Sequence, residues 1–238
     1  MNATVVGLTG RALFGGRRVL LLLTMSLVLV ALASVLRLTV GVDHEVTADF
    51  LGSVAIGALV PLFGLIVGTG VISPEIDDGS IVYLLSKPLP RPTIVLSKLV
   101  VAVSATVVFA TVPTFVAGVV MSGGTGQIAL GYAAAALVAS VAYSAIFLLL
   151  AVVTKHAVVY GLAYALIWEG LIGGYVPGAR TLSVQQWALS VTESVARPGT
   201  VSSDVALGTA LVLLVVATVA ATWYAGRRLR VLTLATED

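Results

Sequence analysis

The sequence predicts an all-α, polytopic membrane protein, and three observations carry that prediction. Hydrophobic residues make up 59% of the 238-residue chain and charged residues only 10%, where a soluble domain carries about 25% charged residues. Mean hydropathy is +1.11. The apolar residues are gathered into six stretches, 19–40, 50–72, 99–121, 128–153, 157–176 and 205–225, each close to the about 20 residues that a helix needs to cross a bilayer. We read the whole chain, 1–238, as a single six-span domain. Around the spans lie a terminal elbow (1–18), a long connection (73–98), a second long connection (177–204) and a tail (226–238).

The first stretch follows Arg17 and Arg18, and with the small residues near Ala31–Ala33 it has the look of a cleavable secretory signal. Its apolar run continues to Val40, too far for a signal h-region, so a retained helix is expected. Pro61 and Pro113 fall inside the second and third stretches, where a missing backbone donor should kink a helix. The glycine-rich turn at 122–126 lacks the Gly-Lys-Ser/Thr that a phosphate-binding loop needs. There are no cysteines, which excludes disulfides, thiolate metal sites and cysteine nucleophiles. No metal constellation, Ser/His/Asp set or nucleotide motif is evident, and nothing suggests nucleic-acid binding. His44 and His156 sit in turns and read as solvated. An enzyme is therefore the least favoured class.

Orientation follows from basic residues. With six spans, one face receives Arg11, Arg17, Arg18, Lys87, Arg91, Lys98, Lys155, Arg227, Arg228 and Arg230, and the other only Arg37, Arg180 and Arg197. Both termini and the 73–98 segment are expected to be cytoplasmic, in the plasma membrane of a prokaryote.

That segment interrupts the apolar pattern most sharply. "ISPEIDDGSIVYLLSKPLPRPTIVLSK" (72–98) packs three carboxylates, three basic residues and four prolines between two spans. Ser73 is an expected N-cap, Pro74 suits the first helical position, and Glu75, Asp77 and Asp78 complement the positive helix end. Ile81, Leu84 and Leu85 share one side at helical spacing, so an amphipathic helix is expected to run to Ser86. "KPLPRP" ends it, and Pro92 and Thr93 restart the next. An ordinary surface loop dipping into lipid headgroups is the plainer alternative.

Glu75, Gly79-Ser80, Leu84-Leu85-Ser86, Pro88, Arg91 and Lys98 resemble the signature that follows the second span of type-2 ATP-binding-cassette (ABC) transporter permeases. The variant "LLSKPLPR" is most similar to the branch with the nitrous-oxide reductase maturation and gliding-motility permeases. The resemblance implies a coupling helix seated in a groove of a separate cytoplasmic ATPase, with Glu75, Gly79, Ser80, Leu84, Leu85 and Arg91 forming or shaping the contact. Asp77, Asp78 and Lys87 join that candidate set on charge. It also implies a dimer, with a second copy or a paralogue, surrounded by membrane lipids. ATP and magnesium would be held by the partner, and an exporter would work by alternating access. The family's elbow helix is less evident here, since 1–18 holds Gly7 and Gly10 and no acidic residue. An ion-coupled secondary transporter and a non-transporting assembly factor are the alternatives.

In the second connection, Ser183 and Gln186 form a capping box. Val184, Trp187, Ala188, Val191 and Val195 make an apolar stripe, Arg197-Pro198-Gly199 a stop, and Trp187 is expected at the headgroups. An interfacial or re-entrant helix follows, read as sealing that face more than gating it. Glu169 is the acidic residue deepest in a span, hence a possible substrate-path residue; pairing with Arg37 is the competing expectation.

Overall fold

The computed structural model describes residues 3–15, 17–80, 90–124, 126–172, 178–196 and 200–232. All of its regular structure is helical among those residues. Five helices are long and apolar enough to cross a membrane: Arg18–Val40, His44–Asp77, Pro92–Ser122, Gly126–Val153 and Leu207–Leu229. The expected fifth stretch, 157–176, is a shorter apolar helix, Ala157–Leu171, and residues 173–177 lie outside the described set.

Taken in order, α1 is Ala3–Phe14 and α2 is Arg17–Val40. A helix does form at the start despite Gly7 and Gly10. Val5, Thr9 and Leu13 recur every four residues and are buried, and α1 packs on the start of the third rod. Burial of one face outweighs the about 1 kcal/mol that each glycine costs a helix.

The second rod begins earlier than its apolar run. Asp43 caps α3 (His44–Phe50), its carboxylate accepting from the Glu45 and Val46 amides at 2.9 and 3.1 Å, so His44 opens a helix rather than lying in a turn. After α3 the rod widens to a π-helical segment, Leu51–Leu59, before α4 (Val60–Gly70). The third rod repeats the device. Its α6 (Arg91–Thr106) leads into a π segment, Val107–Thr111, and then α7 (Val112–Ser122), with α5 being the short Ser73–Asp77 helix between rods.

Each proline sits just past the wide turns, and the widening accommodates it. The Val60 amide reaches back to Ala55, and that of Val112 to Val107, five residues instead of four. Pro113 leaves the Phe109 carbonyl without its i+4 donor, and Ser26 of α2 supplies one at 2.6 Å. In lipid such a carbonyl has no water to turn to, so the contact also fixes α2 against the third rod.

The Gly126–Val153 helix, α8, is the hub. Of its membrane window 61% is buried, against 22% for α2 and 17% for the last helix, α11 (Leu207–Leu232). Small residues let neighbours approach it. A methyl on Gly64 would lie 2.7 Å from Tyr143 Cβ, and one on Gly118 would lie 2.8 Å from Ala129 Cα. Between α8 and α11 stand α9 (Ala157–Ala163), a third π segment, Tyr164–Ile172, and α10 (Val184–Val195).

Candidate functional site

Helix α4 ends at Gly70, and two cations from other rods close its carbonyl end. Arg18 Nη1 donates to Gly70 O at 3.0 Å, and Lys98 Nζ to Val71 O at 2.7 Å. The same ammonium reaches Glu75 Oε1 at 2.6 Å. Lys98 is fully buried and Glu75 about one-third exposed, at 32%. A lone ammonium is costly to bury, and this one is compensated by a carbonyl and a carboxylate. Lys98 therefore ties together the end of α4, the start of α5 and the second turn of α6. A cavity of about 450 Å³ adjoins the knot, lined by residues that include Thr9, Arg18, Gly70, Pro74 and Glu75.

From that anchor the chain turns outward. Ile72, in a non-helical conformation, precedes α5, with no side-chain cap from Ser73 and Pro74 in the first turn. The expected N-cap is thus one residue late, because the break in direction falls at Ile72. The helix does not run to Ser86 without interruption either. It stops at Asp77, and Gly79 takes φ +68, a left-handed geometry that glycine adopts without strain. Asp77, Asp78, Gly79 and Ser80 are all exposed, and the Ser80 hydroxyl turns back to the Glu75 carbonyl at 3.4 Å. Leu84, Leu85 and Lys87 lie outside the described residues. Arg91 starts α6, where only its backbone is described. Of the candidate set, Glu75 faces inward and Asp77 to Ser80 face out.

At the opposite end, Glu169 is fully buried and sits in the third π segment. Its carboxylate accepts from Tyr164 Oη at 2.9 Å, the Ser183 hydroxyl, the Val184 amide at 3.0 Å and the Gln185 amide at 3.3 Å. It is the anion seated on the N-terminus of α10, where unpaired amides and the helix dipole favour negative charge. This replaces the expected pairing with Arg37. That guanidinium lies instead at the Gly123 turn, within 3.2 Å of where a Cβ on Gly123 would stand. Ser183 does cap α10, accepting from the Gln186 amide at 3.3 Å.

Trp187 is turned into the protein rather than out toward lipid. It is 6% exposed, and its indole donates to Thr181 O at 2.8 Å. The stripe that includes Val184, Ala188 and Val191 faces the bundle, with Val195 alone partly out, and the 197–199 stop falls outside the described residues. Gln185 Nε2 reaches Gly52 O at 3.2 Å and Thr192 Oγ1 reaches Gly131 O at 3.3 Å. The α10 helix is therefore a lid bolted to the second, fourth and fifth rods. Tyr164 is itself positioned by an edge contact with Phe147, which stacks on Tyr143.

Compared with known families, residues 17–175 match the model described as "ABC-2 family transporter protein". No curated protein matches the chain.

Proposed function

Because the chain belongs to the ABC-2 family of transporter proteins, we propose that it is the permease subunit of an exporter whose ATP hydrolysis takes place on a separate cytoplasmic subunit. The observation that carries this reading is the Lys98–Glu75–Val71 knot, with Asp77 to Ser80 projecting beyond it. A push on the projecting turn is delivered through Glu75 and Lys98 to two membrane rods together. Asp77, Asp78, Gly79 and Ser80, with Leu84, Leu85, Lys87 and Arg91, form the surface offered to the ATPase. ATP and magnesium belong to that partner.

The positive-inside distribution supports cytoplasmic termini and a cytoplasmic knot. Two permease chains, identical or paralogous, would face two ATPases, and alternating access would follow from ATPase closure. The four donors on Glu169 weigh for a structural role over a place in the substrate path.

The test uses the chain co-expressed with the ATPase encoded beside it, if one is, with a single cysteine at Ser80. Cross-linking to the ATPase and blockade of Ser80 from outside reagents support the reading. Gly79→Pro, which cannot adopt φ +68, should abolish ATPase recruitment while the chain still inserts. Recruitment at wild-type level by Gly79→Pro and Leu84→Asp, or Ser80 labelled from outside, overturns it.

A further inference from the structure

A second feature owes nothing to the coupling knot. An open cavity of about 600 Å³ runs between α6 and α11, walled by Pro92, Leu96 and Leu99 on one side and by Thr222, Trp223 and Arg227, among others, on the other. Its walls are more apolar than the residue names suggest. The Thr218 and Thr222 hydroxyls are turned back onto the Leu214 and Thr218 carbonyls at 2.8 and 2.7 Å, so both are already satisfied within their own helix. From Thr218 to Arg227 the groove extends nine helical residues, about 14 Å at 1.5 Å per residue. That is the depth of one leaflet's hydrocarbon, half of about 30 Å.

The groove is charged at one end only. Arg227 Cζ lies 4.6 Å over the Trp223 ring, and among the described residues its guanidinium has no carboxylate partner: the ion pairs there are Lys98–Glu75 and Arg180–Asp204. Arg228 beside it is exposed. Trp223 is 59% exposed, as suits an indole at a membrane boundary, and the last apolar stretch ends at residue 225, two residues before Arg227.

We propose that this groove is a site for an anionic phospholipid of the leaflet on the Arg-rich face, with an acyl chain along Leu96, Val219 and Thr222 and the headgroup on Arg227. The charge complementarity and the one-leaflet depth select a lipid over a protein helix, which would need neither a lone cation at one end nor a mouth at the headgroup level. The site does not depend on transport or on an ATPase.

The full chain is reconstituted in bilayers of equal phosphatidylglycerol and phosphatidylcholine, extracted with mild detergent, and the retained lipid is quantified by mass spectrometry. Phosphatidylglycerol is expected to be enriched severalfold. Arg227→Gln, at an exposed position, removes the enrichment but leaves lipid bound, Arg227→Lys retains most of it, and Thr222→Trp lowers total retention. Equal retention of the two lipids by the unaltered chain, or enrichment untouched by Arg227→Gln, overturns the proposal. So does disulfide cross-linking of two copies through Val219→Cys in native membranes, which would give the groove to a second chain.

Discussion

Replacing Lys98 by methionine keeps the aliphatic stem and deletes the ammonium that joins Val71 O and Glu75. Two charge-assisted hydrogen bonds disappear, at 2.7 and 2.6 Å. Each contributes about 1.5–3 kcal/mol, and breaking a buried ion pair costs about 3–5 kcal/mol. Glu75 is one-third exposed and recovers part of its solvation, so the net loss is about 2–4 kcal/mol, carried by the α4–α5 junction rather than by the whole bundle. The chain has no cysteine, which makes a single Ile72→Cys, fully buried in the native junction, a clean reporter of local opening. When closing outpaces labelling, thiol modification follows the opening equilibrium, and a tenfold change per 1.4 kcal/mol gives an acceleration of about 30-fold to several hundred-fold. A cysteine at Ala188, at the far end, should be unaffected. The combination Lys98→Met with Glu75→Gln should label more slowly than the sum of the single effects requires. An Ile72→Cys rate within about threefold of the parent would refute the knot.

At the opposite end, Glu169→Gln replaces a charged acceptor of four donors by a neutral one. It should speed modification of Ala188→Cys by about 5–30-fold, the difference of about 1–2 kcal/mol between charged and neutral hydrogen bonds. Exchanging the charges of Glu169 and Arg37 should not restore closure, and restoration would reinstate that pair. Gly118→Ala should destabilise the bundle by about 1–3 kcal/mol through overpacking, while Gly208→Ala, whose Cβ meets nothing within 4 Å, should be neutral or mildly stabilising; unfolding titrations in mixed micelles compare the two. Ser26→Ala should cost about 0.5–1.5 kcal/mol by removing the hydroxyl that donates to the Phe109 carbonyl. Pro113→Ala, which returns an amide four residues on, should recover part of that loss in the same titration.

Much of the fold was legible because hydrocarbon imposes one rule on every span. The apolar runs located the rods, and Pro92 and Ser183 marked helix starts by local chemistry. Asp43 in "DHEV" is a plain capping pattern, but it lies ahead of the apolar run, so hydrophobicity alone starts the second rod too late. In the candidate site, the motif brought Glu75 and Lys98 onto one page but gave no sign that they touch. Their contact crosses 23 residues and depends on how two rods lean together. Glu169 stood out as an acidic residue inside a span, and the structure buries it. Its partners were not foreseen, because three of its four donors, the Ser183 hydroxyl and the Val184 and Gln185 amides, lie at the start of another helix, and two of those are backbone groups that residue names do not reveal. Trp187 misled for a similar reason. An indole suits a membrane surface and a bundle interior equally well, and only the Thr181 carbonyl decides between them.

The wide turns at Leu51–Leu59, Val107–Thr111 and Tyr164–Ile172 have a mechanical consequence. Each stores a surplus residue in a rod whose backbone must stay fully paired in hydrocarbon, and amides there can trade a carbonyl five back for one four back without exposing either. Such a rod acts as a swivel: its two halves can rotate relative to one another while the bilayer meets no naked polar group. The helices at 17–40, 126–153 and 207–232 contain no such slack. Three jointed shafts thus stand among three continuous ones, and the jointed set includes the two shafts that Lys98 clamps and the one that Glu169 latches.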